Sequence, residues 1–498
     1  MDAVIGSRFV MSILGVFIII YVMVSVCIGL YAARRVNNST DYILAGRSLP
    51  IYITIATVFA TWFGSEAVLG IPATFMEEGM AGIVADPFGA GLCLVFVGLF
   101  FARRLYRMKL MTIGDFYRQR FSRNVEVMVS VAICISYLGW VAAQIVALGL
   151  TINLVSQGWI SFELGMVLGL AVVMLYTIYG GMWSVAIMDF IQMMAILAGL
   201  LMVAYLIANR LDGGVMTVVN HAAANDKFDF WPSWDWAAVL GFIGAFVTLA
   251  LGSIPQQDVF QRVMSADNEN IAVKGTVFGG LFYVLFCFVP IFIVYGASLL
   301  SPELIDVHMA EGGDPQRILP EYILQQVPVW VQVMFFGALV SAIMSTASGT
   351  LLAPSAILAK NILRHWLNLN DQQLLVALRL CVLGFGLLVL LYAYMSSSVG
   401  LSIFEMVENA YLVTLCGAFV PLAFGVYWQR ANNTGALLSI VLGVLSWAAL
   451  EVVSLQLTAR GETLLVPPQL VGLGMAIIGM VVGSHISRFK NESIALKS

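Results

Sequence analysis

Apolar stretches of about 20 residues, each long enough to cross the hydrocarbon of a bilayer as a helix, recur along almost the whole chain. Hydrocarbon offers no partner to a backbone N–H or C=O, so such stretches must be helices that satisfy their own hydrogen bonds. The spans read as residues 10–33, 51–71, 83–101, 125–155, 160–179, 184–209, 236–256, 275–300, 329–352, 374–395, 401–428, 435–455 and 470–486, thirteen in all. Hydrophobic residues make up 61% of the chain and charged ones only 10%, which excludes a soluble globular domain. A net charge of −4 gives no basis for nucleic-acid binding. The expectation is an all-α polytopic protein whose surroundings are lipid, with no obligatory protein partner implied.

Basic residues orient these spans. With the N-terminus outside, only Arg8, Arg210, Lys227, Arg317 and Arg460 of the 24 Lys and Arg fall in external segments. The remainder, from Arg34 and Arg35 to Lys490 and Lys497, would be cytoplasmic. That excess predicts an N-terminus outside and a C-terminus inside, in the cell inner (plasma) membrane. The first span is too long for a signal-peptide core and counts as a helix. All six cysteines lie within spans, so no disulfide framework is expected, and the four histidines lack zinc-ligand spacing.

Two spans are interrupted. The second carries Gly64, Ser65 and Glu66, then Gly70 and Pro72; the seventh carries Gly252, Ser253 and Pro255. Broken helices are tolerated in a membrane where the freed backbone faces protein or a wet cavity. Matching breaks five spans apart fit two inverted repeats whose first helices are discontinuous, the layout of a secondary transporter. In the ninth span Ala342, Ser345, Thr346 and Gly349 share one helical face. Such a face allows another helix to approach closely, or offers oxygens to a dehydrated cation.

A carboxylate at mid-membrane costs roughly 2.5–3.5 kcal/mol and calls for a reason. Glu66, Asp86, Asp189 and Glu408 are the principal cases. Trp62, Ser65, Glu66, Asp86, Gln144 and Glu408 form the candidate solute site. Three acids and an aromatic ring, without a basic residue at that depth, suit a solute with an ammonium group. Each also has a plainer use: Trp62 as core, Gln144 as a bond to a neighbouring helix, Glu408 as a solvated side chain.

Several strings point to one family. They are DYILAGRSLP at 41–50, YGG at 179–181, SVAIMDFIQ at 184–192, QDVFQR at 257–262 and AIMST at 342–346. Their order and spacing resemble the sodium:solute symporter family, which includes bacterial proline, sugar and sialic-acid symporters and the high-affinity choline transporters. ATWFG at 60–64, DPFG at 86–89 and WVAAQIVALG at 140–149 look most like the choline branch.

This resemblance implies the five-plus-five inverted-repeat (LeuT-like) fold. One helix (residues 1–50, with a loop) would precede a core at 51–430, divided into repeats at about 51–210 and 236–430, and two helices at 431–498 would follow. It implies Na⁺ as the coupling ion. The sodium site would use carbonyls of Ala60, Phe63 and Ala342 and hydroxyls of Ser345 and Thr346. A second sodium, where present, would use Asp189, Ser345 and Ser348. Here Met188 and Gly349 depart from the hydroxyl pattern of many relatives, which favours one ion. The activity implied is sodium-coupled symport of a small organic solute, an amino acid or quaternary amine, and no enzyme chemistry. A transporter-derived solute sensor and a proton-coupled symporter are the competing readings.

Overall fold

The computed structural model describes residues 2–310, 313–399, 402–458, 460–462 and 464–495. Leu401, where an expected span begins, and Lys497 of the basic set lie outside them. Helix dominates, and the one β-bridge among the described residues pairs Leu49 with Ala266.

The elements that matter below are α1 (Asp2–Ala32), α2 (Ile51–Trp62), α3 (Ile71–Glu78), α4 (Arg123–Val155), α5 (Phe162–Arg210), α6 (Trp236–Gly252), α7 (Gln257–Met264), α8 (Glu269–Leu300), α9 (Val329–Ile357), α10 (Asp371–Val399), α11 (Ile403–Ala410), α12 (Asn433–Thr458) and α13 (Pro468–Ala495). Among the described residues ten helices are long and apolar enough to cross a membrane, or twelve if each of two bent pairs is one crossing. Those pairs are the interrupted spans of the sequence. The chain bends by 61° between α2 and the helix that resumes at Glu66, and by 45° between α6 and α7.

The expected thirteenth span depends on α5. Its 49 residues form one helix broken only at Gly181. At 1.5 Å per residue it would run about 73 Å, more than twice the roughly 30 Å of hydrocarbon. Gly181 adopts φ +49°, and a Cβ there would lie 2.4 Å from the Tyr42 carbonyl, so glycine is required. Helix lengths alone therefore give ten to twelve crossings, and thirteen only if α5 is divided at Gly181.

α9 packs along α5, with α2 and α4 against them, while α12 and α13 pair with each other at the periphery. Buried hydroxyls mostly bond their own helix backbone, while several other buried polar groups gather into knots. In one, Asn361 donates to Glu126 at 2.8 Å and accepts from Thr112 at 2.8 Å, while Lys360 pairs with Asp115 at 3.0 Å. It ties the Thr112-capped helix Ile113–Arg120, the start of α4 and the turn after α9 into one end of the bundle.

Candidate ion and solute site

α2 stops at Trp62 because Phe63 leaves helical geometry (φ −78°, ψ 75°). In a continuing helix the Gly64 N–H would bond the Ala60 carbonyl. It bonds the Trp62 carbonyl instead, at 2.8 Å. Ala60 is left with a carbonyl that accepts from Thr346 Oγ1 of α9 at 3.1 Å. Phe63, Ala60, Ala342, Ser345 and Thr346, the five residues expected around an ion, are all buried here. Ala342 lies one turn before Thr346 on the same face of α9.

Gly64 gives this break its chemistry. The position a Cβ would take is 2.7 Å from Thr346 Oγ1, 2.7 Å from Gln144 Oε1 and 2.9 Å from Glu66 Oε2. Three oxygens from three helices thus close on Gly64 so tightly that only glycine fits there. Gln144 also fixes the break, donating to Glu66 Oε2 at 2.7 Å and accepting from the Ser65 N–H at 3.0 Å. Glu66 Oε1 is buried without a hydrogen bond among the described residues, although the Trp140 indole approaches that carboxylate.

Trp62 and Phe63 face opposite ways. Trp62 stacks on Trp140 with centroids 4.7 Å apart, and Tyr137 stacks on Trp140 at 5.8 Å. Tyr411 meets Trp62 at 5.6 Å and Trp140 at 5.4 Å. The indole N–H groups of Trp62 and Trp140 and the Tyr411 hydroxyl have no hydrogen-bond partner in this cluster. Phe63 packs with Phe59, Phe286 and Tyr283. Asp86 lies on that side, accepting from Tyr283 at 2.6 Å. It makes no hydrogen bond to Glu66, but the two buried carboxylates lie close enough to repel each other. Glu408 lies on α11, partly exposed, with Glu405 and Glu78 as its charged neighbours. The structure does not bring it into hydrogen-bonding contact with Glu66, Gln144 or Asp86.

Asp189 sits in an adjoining buried knot that shares Ser345. One oxygen accepts from Ser345 at 2.6 Å, the other from Thr57 at 2.6 Å. Arg262 of α7 lies 3.5 Å from Asp189, donates to the Thr57 carbonyl at 2.7 Å, and has Asp258 at 3.9 Å. Ser348 is turned back onto the Ser345 carbonyl at 3.0 Å.

The sequence profile of the sodium:solute symporter family matches residues 42–443. The chain belongs to this family. Among its relatives, the human high affinity choline transporter 1 is 26% identical over 86% of this chain and 75% of its own length. The sodium/sialic acid symporter NanT of Aliivibrio fischeri is 26% identical, over 85% of each chain. In fold, the chain matches a Na⁺-coupled sialic acid symporter solved in a substrate-bound outward-open state, with TM-score 0.81 at 19% identity over 95% of this chain and 97% of that one. As a sodium:solute symporter the protein is a sodium-coupled secondary transporter with the LeuT-like core.

Arg262, Thr57, Trp140, Tyr411 and Tyr283 were not singled out from the sequence as site residues. Arg262 carried a signal, since QDVFQR sets an arginine on a short, half-polar helix beside a broken span. The others are ordinary helix residues whose roles arise only from packing.

Proposed function

We propose that this symporter carries a small organic cation, a quaternary amine first and an amino acid second, and binds one coupling Na⁺ in the break around Gly64. The observation that carries the solute class is the Trp62–Trp140–Tyr411 cluster near the buried Glu66 carboxylate, with no Lys or Arg bonded to that acid. An aromatic face attracts a cation by its quadrupole, and a buried carboxylate needs a positive partner. The likeness to choline transporters supports the same class. The two indoles lie too close for a guest between them, so an ammonium group would have to part Trp62 from Trp140.

The ion would be held by oxygens of Ala60, Phe63, Ala342, Ser345 and Thr346, with Gln144 and Glu66 linking it to the solute. Oxygen donors without extra charge suit a hard monovalent cation. Asp86 and Glu408 are assigned outer roles along the solute path. The excess of basic residues supports an external N-terminus and a cytoplasmic C-terminus. At about 100 mV one Na⁺ gains roughly 2.3 kcal/mol, and a tenfold gradient adds about 1.4 kcal/mol. Together these sustain accumulation of a neutral solute by a few hundred-fold, and of a cation by more.

Purified protein in proteoliposomes, screened with choline, betaine, amino acids, glucose and sialic acid, tests the class. The expected result is competition by quaternary amines, accompanied by a change in tryptophan fluorescence that Trp62→Leu removes. Competition by sialic acid or glucose alone would eliminate the cation reading. Thr346→Ala and Ser345→Ala are each expected to raise the half-saturating sodium concentration about tenfold, matching about 1.4 kcal/mol of lost ion binding, before solute affinity at saturating sodium changes. Unchanged sodium dependence in both would refute the ion site.

A further inference from the structure

A furrow of about 680 Å³ runs between α1 and the body of the bundle. α1 presses on the core through one stripe of residues. Leu14 is fully buried, Tyr21 hydrogen-bonds Ser341 of α9, and Gly29 lets α5 come close, since a Cβ there would lie 2.7 Å from the Tyr176 Cβ. The neighbouring face of α1, with Gly15, Ile19 and Val22 at i, i+4 and i+7, lines the furrow instead. Gly15 keeps it wide, because nothing lies within 4 Å of the place its Cβ would take. The inner lining is Leu148 of α4 with Val340 and Met344 of α9, all buried.

The walls suit an apolar guest. Their hydroxyls give their protons to backbone carbonyls, Thr151 to Ala147 at 2.8 Å and Ser156 to Asn153 at 3.1 Å. Gln157 and Trp159, on the turn between α4 and α5, stand at one end. Trp159 is 93% exposed and is of the type that favours the membrane–water boundary. From there the furrow runs inward for about 12 Å, from the α4 cap Ser156 to Leu148 and equally from Gly15 to Met23 on α1, at 1.5 Å per residue. One leaflet supplies about 15 Å of hydrocarbon. The lips, Ile19, Met23 and Leu168, are exposed and continue the apolar outer face of α1 at Phe17 and Ile20.

We propose that this furrow seats one acyl chain of a phospholipid, drawn from the leaflet that holds the α4–α5 turn. Its length matches a single leaflet, its open side is continuous with the surface that faces lipid, and its polar residues lie where a headgroup would be. A seated chain adds dispersion contacts to Val340 and Met344, on the helix that also carries Ser345 and Thr346. The assignment holds whichever solute is carried.

Photolabelling of the full-length protein tests it, in nanodiscs of dioleoylphosphatidylcholine doped with a phosphatidylcholine bearing a diazirine near the end of one acyl chain. Peptide mass spectrometry is expected to find adducts on Leu148 or Met344, only 3% and 1% exposed, which a lipid lying along the outer surface does not reach. Gly15→Phe fills the furrow and should lower that inner labelling at least tenfold. Gly384→Phe, at an exposed glycine of α10 whose Cβ position is equally open, should leave it unchanged. Adducts confined to lip residues such as Ile19 and Leu168 would overturn the inference, as would inner labelling that persists in folded Gly15→Phe or falls equally in Gly384→Phe. The map of the unmodified protein decides the question if Gly15→Phe does not fold.

Discussion

Gly64→Ala is expected to abolish sodium-driven uptake, lowering ion affinity by about a hundredfold or more, which corresponds to at least about 2.7 kcal/mol. The added methyl would sit 2.7 Å from both Thr346 Oγ1 and Gln144 Oε1 and 2.9 Å from Glu66 Oε2. These atoms cannot simply swing aside. Thr346 is held by the Ala60 carbonyl, and Gln144 is pinned at both ends by Ser65 and Glu66. Overpacking of this kind typically costs about 1–3 kcal/mol of stability, so the variant should fold while Thr346 and the break that carries the ion ligands are pushed out of place. Sodium binding and thermal unfolding measured on one preparation separate the two effects. Normal sodium binding by a folded Gly64→Ala protein would show that ion coordination lies elsewhere.

The second large effect concerns stability. Arg262→Ala is expected to destabilise the protein by about 3–5 kcal/mol, because it leaves Asp189 and Asp258 buried without their shared partner. Asp189→Asn in the same chain should recover part of that loss, since it removes the buried charge while the amide oxygen still accepts from one of the two hydroxyls and its NH2 can donate to the other. A double-mutant cycle read by thermal unfolding in detergent gives the coupling. An Arg262→Ala protein as stable as its parent would mean that the pair is solvated or formed only in part of the transport cycle.

Much of the architecture could be read before any coordinates. Apolar length announces a crossing, and Gly64 and Pro255 announce breaks, because both effects act within a few residues of sequence. The shared face of Ser345 and Thr346 follows from helical period alone. What could not be read depends on distant partners. Asp189 and Arg262 are far apart in sequence, and nothing local says that Gly349 clears the path between them. Asp86 is a near neighbour of Glu66, but that Tyr283 from α8 donates to it is set by packing alone. Glu408 follows the same logic, since its helix determines its depth but not its neighbours. The crossing count was ambiguous for a further reason: one glycine torsion decides whether α5 is one element or two.

Gln144 presents its oxygen to the break at Gly64 and Ser65 and its amide nitrogen to Glu66. A single carboxamide is therefore in touch with both proposed cargoes. Linkage then requires reciprocity: whatever factor sodium adds to the hold on solute, solute adds to the hold on sodium. A carrier wired this way has little tendency to slip, because a half-loaded state lacks the contact that would steady the other half.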